Sequence, residues 1–166
     1  MAYCTATNIR DFSGLTQAEI SDSDLATLIS YATIQLNSMI NTKINRESVE
    51  WIDETRENSI DGLNTIYYIK SWQFYYLGDL DNDGDVDTSD VIVYLVDLTG
   101  IESLATVSAI DHDDGKITLS SAPASGNDIS ITYTAAPVDE STPDNLIKLA
   151  CSQLTAALAF TKIDAK

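Results

Sequence analysis

The sequence predicts an α+β fold in which N- and C-terminal helices pack together and a small antiparallel β-subdomain is inserted between them. Three observations point there. Apolar residues recur at three- and four-residue spacing near both ends, and the middle changes to short β-branched and aromatic runs broken by turn signals. Within that middle, one acidic stretch has the spacing of a twelve-residue calcium loop. The 166 residues suit one compact domain. Its parts are expected at 1–48 (helical), 49–137 (β-rich, with the calcium-type loop at 79–90) and 138–166 (a helix completing the helical core).

Near the N-terminus, Thr16-x-x-Glu19 and Ser21-x-x-Asp24 are successive capping-box patterns, and Ile20 and Leu25 stand where a hydrophobic staple would bracket a Ser21 N-cap. Leu25, Leu28, Ile29, Ala32, Leu36, Met39 and Ile40 then form one apolar stripe, the mark of a core helix. In the middle region, Asp61-Gly62-Leu63-Asn64 opens a strand over 65–70, inside an apolar run that reaches Tyr76. The run 91–96 is too short and too evenly apolar for a helix and reads as a strand. Residues 104–110 and 116–120 flank Asp111-His112-Asp113-Asp114-Gly115, whose Asp-Gly pair signals a hairpin. Residues 128–134 alternate with period two and make a further strand. The chain then returns to helix. Thr142-Pro143-Asp144 supplies an N-cap, a proline at the first helical position and an acid in the first turn. Over 146–163 the stripe is Leu149, Ala150, Leu154, Ala157, Leu158 and Phe160, with Ala156 and Ala159 among the small residues that let another helix come close.

The acidic stretch runs from Asp79 to Asp90. It puts Asp79, Asp81 and Asp83 at ligand positions one, three and five, and Gly84 at the sharp turn. Asp85 falls where the loop offers a backbone carbonyl, Asp87 where it often acts through water, and Asp90 at the last ligand position. Six carboxylates this close repel one another unless a divalent cation neutralises them. A structural Ca2+ held by Asp79, Asp81, Asp83, Asp85, Asp87 and Asp90 is therefore expected. Asp90 is shorter than the usual bidentate Glu, which implies weaker coordination or one completed by water. The loop occurs once and lies between two strand-like runs. A dockerin would carry two such loops, each leading into a helix, so this one reads as a metal-pinned connection between strands.

Charge and chemistry narrow the function. Twenty-six acidic against nine basic residues give a formal charge of −17, which argues against tight binding to nucleic acid. Such a surface stays soluble in high salt and fits a halophilic source. Cys4 and Cys151 lie near opposite ends with no metal-ligand spacing, and are read as free, partly buried thiols rather than a disulfide. The N-terminus has no secretory pattern and no run of about 18 apolar residues occurs, so a cytosolic place of synthesis and assembly is expected, without a membrane. The single histidine, His112, sits in a hairpin turn among acids, and no phosphate loop or nucleophile elbow appears, so an enzyme is not expected. Trp51, Tyr67, Tyr68, Trp72, Phe74, Tyr75 and Tyr76 crowd one window, where strand alternation would bury about half of them.

The layout resembles the head-to-tail connector, or adaptor, proteins of tailed viruses. The resemblance rests on residues 3–9, on the acidic stretch 15–32 with its Ile-Ser-Asp and Leu-Ala-x-Leu-Ile steps, and on Leu146-Ile147-Lys148-Leu149-Ala150-Cys151. The strand at Gly62-Leu63-Asn64-Thr65-Ile66-Tyr67-Tyr68 and the hairpin from Gly115 to Pro123 look like the β-inserts of such virion proteins, particularly those of archaeal viruses. It implies a homo-oligomeric ring, usually of twelve copies, in the virion neck between the portal protein and the tail or stopper proteins. DNA would pass through such a ring without specific binding. A competing reading is a calcium-dependent dockerin-like or adhesion module.

Overall fold

The computed structural model of the chain describes residues 2–49, 58–70, 75–139 and 143–165. The fold is α+β, with helices from both chain ends packed together and antiparallel sheets between them in sequence. It divides into a helical unit, Met1–Ile40 with Val138–Lys166, and a β-unit, Asn41–Pro137. The boundary expected after residue 48 falls earlier. Strand β1 (Thr42–Ser48) belongs to the β-unit because Thr42, Lys43 and Ile44 pair with Ala135, Thr134 and Tyr133. That pairing also sets side by side the points where the chain enters and leaves the β-unit, the condition under which a long insertion is tolerated.

In the helical unit, α1 (Ala6–Ser13) is capped by Thr5, whose side chain accepts from the Asn8 N–H, and is closed by Gly14 at φ 73°. A short turn comes next, in which the Glu19 carboxylate accepts from the Thr16 N–H at 2.8 Å. The second capping pattern starts the longer helix α2 (Asp22–Ile40), with Ser21 Oγ accepting the Asp24 N–H at 3.1 Å. Ile20 and Leu25 are both buried, as a staple requires. The stripe continues inward through Leu28, Ile29, Ala32 and Leu36 but not to Met39, which is 78% exposed. Burying a side chain such as Ile9 or Leu25 contributes about 1.5–3 kcal/mol.

The last helix, α3 (Asn145–Asp164), is capped by Asp144, which accepts the N–H groups of Leu146 and Ile147. Pro143 thus precedes the cap, and the expected cap residue Thr142 lies outside the described residues. The inward face of α3 differs from expectation in part. Cys151, Ser152, Thr155, Ala156 and Ala159 are buried, whereas Leu149 and Phe160 are exposed. Ala156 and Ala159 are small residues expected to allow close approach, and Leu154 and Leu158 of the expected stripe pack half-buried beside them. Although α3 lacks an unbroken apolar run, its length and mean hydropathy reach those of a membrane-crossing helix.

Cys4 and Cys151, expected as free thiols, form a disulfide with Cα atoms 6.0 Å apart. Residues so far apart in sequence give no spacing signal. The bond results from the packing, which brings the start of α1 against α3 inside the helical core.

The β-unit holds two antiparallel sheets. The larger has the order β1-β8-β4-β5, with β4 at Ile92–Val96, β5 at Glu102–Ala105 and β8 at Asp128–Ala136; β3 (Tyr76–Gly78) also pairs with β8. The smaller has the order β2-β7-β6, with β2 at Ile66–Tyr68, β6 at Val107–Asp111 and β7 at Lys116–Leu119. The stretch read as a strand over 104–110 is two strands that part at Thr106, β5 joining one sheet and β6 the other. The hairpin turn falls where the Asp-Gly pair placed it, between Asp111 and Lys116. Val93, Ile117, Ile129, Ile131 and Tyr133 fill the common core with Tyr67, whose phenol burial pushes up to about 12. Of the aromatic window, Tyr67 is buried, Tyr68 and Tyr76 half-buried and Tyr75 exposed; Trp51, Trp72 and Phe74 lie outside the described residues.

Candidate metal centre

Gly78 at the end of β3 pairs with Thr134, and Ile92 at the start of β4 pairs with Thr132. The two strands are therefore halves of one edge along β8. Residues 79–91 leave and rejoin that edge opposite the single residue Tyr133. A loop with ends so close must turn back on itself, and its polar groups must satisfy one another.

Asp79 is 4% exposed, and its two oxygens accept the N–H groups of Asn82 and Gly84. Asp81 accepts the Asp83 N–H at 3.2 Å and the Ser89 hydroxyl at 3.0 Å, and Asp83 accepts the Asp85 N–H at 2.9 Å. Gly84 has φ 100°, a conformation costly for any other residue, so it makes the turn that folds these carboxylates together. Carboxylate oxygens of Asp79, Asp81 and Asp83 all lie within 4.8 Å of one another. Two oxygens bound to one calcium at 2.3–2.6 Å stand up to about 5 Å apart, so the triplet fits a single ion. Its donors are all oxygen, which suits a hard divalent cation rather than zinc.

The other three expected ligands stand outside that triplet. Asp90 is 1% exposed; one oxygen accepts the N–H groups of Leu80 and Asp81, and the other accepts the Asp87 N–H at 2.7 Å. It thereby ties the start of the loop to its end. Burial raises its carboxyl pKa, against the lowering effect of these hydrogen bonds. Asp87 caps the 3-10 turn Thr88–Asp90, and its carboxyl is held below the usual range by the Ser89 N–H and then the Ser89 hydroxyl. The Asp85 side chain is exposed, in keeping with a position that uses its carbonyl.

One contributor lies beyond the ligand pattern of the sequence, and Val86, which with Gly84 matches the loop pattern, takes the expected apolar place. The Ser89 hydroxyl bridges Asp81 and Asp87, and half-buried Val86 anchors the loop to the β-core. For Ser89 the available signal was a serine beside the last acid. The loop ends in a single 3-10 turn that runs into β4, not in a helix. In the β6–β7 turn, His112 Nε2 lies 3.1 Å from the Asp113 carboxylate. No protein-family model matches the chain, and no curated protein matches it.

Proposed function

We propose that the protein is a structural component of a tailed-virus neck, an adaptor ring that joins portal and tail and through which DNA passes. The observation that carries this reading is the division of the chain. A helical unit assembled from both chain ends, with a β-unit inserted at one doorway where Thr42 meets Ala135, is the layout the resemblance implies. The charge of −17 supports a channel wall that repels phosphate, so that DNA slides without sticking.

In this reading the ion is Ca2+, held by Asp79, Asp81 and Asp83 with the Asp85 carbonyl, water completing the shell near Asp87. It is structural: it stiffens the splice between β3 and β4. The disulfide fits a particle that leaves a reducing cytosol, since such bonds persist at virion surfaces. Light scattering on the purified chain with calcium tests the reading. The expected species is a closed ring that binds the portal protein. A chain that stays monomeric at all concentrations and never joins portal overturns it and favours the calcium-dependent binding module.

A further inference from the structure

We infer that the Cys4–Cys151 bond is a redox latch on helix α1: with the thiols reduced, α1 and the residues before it dock on and undock from α2 and α3, and oxidation holds them closed. The inference does not rest on the adaptor-ring reading. It starts from how little α1 holds by itself. Its 8 residues are too few for a helix to persist alone in water, and among them only Ile9 is buried. What anchors the helix lies just before it. Tyr3 is buried; its hydroxyl donates to the Asn37 side chain and its N–H to Thr33 Oγ1 at 3.5 Å, both on α2. Cys4 is joined to Cys151 on α3. Two neighbouring residues thus fasten α1 to both long helices. One does so by hydrogen bonds of modest net strength, the other by a covalent bond whose state follows the redox compartment.

Burial decides how such a latch works. Both cysteines are buried, in the cluster that also holds Tyr3 and Ile9. Thiol–disulfide exchange needs a thiolate to reach a sulfur, so neither oxidant nor reductant acts on the pair until α1 lifts away. In the setting step the two cysteine thiols react with a low-molecular-weight disulfide such as oxidised glutathione. The Cys4–Cys151 bond forms and the oxidant's S–S bond breaks; the two protons and the electron pair pass to the oxidant, which leaves as two thiols. Docking of α1 then covers the new bond. A latch set while α1 is loose and sealed once it docks closes the helical unit on passage from a reducing to an oxidising compartment, and reductant met later does not reopen it.

Hydrogen exchange on the oxidised and the reduced full chain, without denaturant, tests the latch. Amides of residues 3–13 are expected to exchange about tenfold faster or more in the reduced protein, with those of the β-unit unchanged. Dithiothreitol should open the bond of the folded, oxidised protein about 100-fold more slowly than it reduces oxidised glutathione, and Tyr3→Ala, which removes the anchor on α2, should speed that opening about tenfold. If Tyr3→Ala fails to fold, Tyr3→Phe, which removes only the hydroxyl, decides in the same direction. Equal exchange over residues 3–13 in the two forms overturns the latch. So does a bond reduced as fast as oxidised glutathione, or at a rate that the folded Tyr3 variant leaves unchanged. Unfolding of the whole helical unit on reduction overturns it as well, because the bond is then a staple of the fold.

Discussion

Reducing the Cys4–Cys151 disulfide is expected to destabilise the helical unit by about 4–5 kcal/mol. The sequence separation is 147 residues, and a cross-link over so long a loop removes much of the freedom of the unfolded chain. The lower figure applies if the β-unit stays folded, because the Thr42–Ala135 pairing then shortens the path between the two cysteines. The helical unit has special need of the link. Its two segments come from opposite ends of the chain, and their only other covalent connection runs through the whole β-unit. Guanidinium unfolding monitored by helical circular dichroism, with and without reductant and on Cys151→Ser, measures the loss. Native protein should show no reactive thiol before reduction. Two titratable thiols in the untreated, denatured protein, with no effect of reductant, would contradict the bond.

Asp90→Ala is expected to cost about 3–5 kcal/mol of β-unit stability with or without calcium, because three backbone N–H groups lose a charged acceptor at a site closed to water. Asp90→Asn, which keeps the shape and one acceptor, should fall between. Asp83→Ala should behave differently. Its side chain is exposed and accepts only one backbone bond among those described, so its loss should matter when calcium is present and little when a chelator is added. Thermal melts of the three variants, each with calcium and with chelator, separate the roles. Equal calcium dependence for Asp90→Ala and Asp83→Ala would remove the distinction between knot and ligand.

The features readable in the residues were those with local causes. The Asp114-Gly115 pair placed its hairpin, the Ser21 pattern started α2, and the spacing of Asp79, Asp81, Asp83 and Gly84 described a loop that does gather three carboxylates. The features that were not readable depend on distant partners. The split at Thr106 arises from two sheets competing for one stretch, the burial of Ser152 and Thr155 on α3 in place of Leu149 and Phe160 from helix packing, and the disulfide from the packing of the start of α1 against α3. The role of Asp90 was hidden for a related reason: spacing marks where an oxygen lies, not whether N–H groups claim it first. Helix α1 is short, and its Thr5 and Asn8 cap is a fainter signal than the two capping patterns after it.

We propose that a cation at Asp79, Asp81 and Asp83 pins the splice between β3 and β4. Calcium titration calorimetry, paired with melts of the β-unit, tests it most directly on wild type and on Asp79→Ala with Asp83→Ala. Wild type should bind a single ion saturably. At calcium about 100-fold above the dissociation constant, the ion should add about 2.7 kcal/mol and raise the melting temperature on the order of 10 °C, with both effects gone in the double variant. A wild-type chain that takes up no calcium and melts at the same temperature with calcium as with chelator has no such pin.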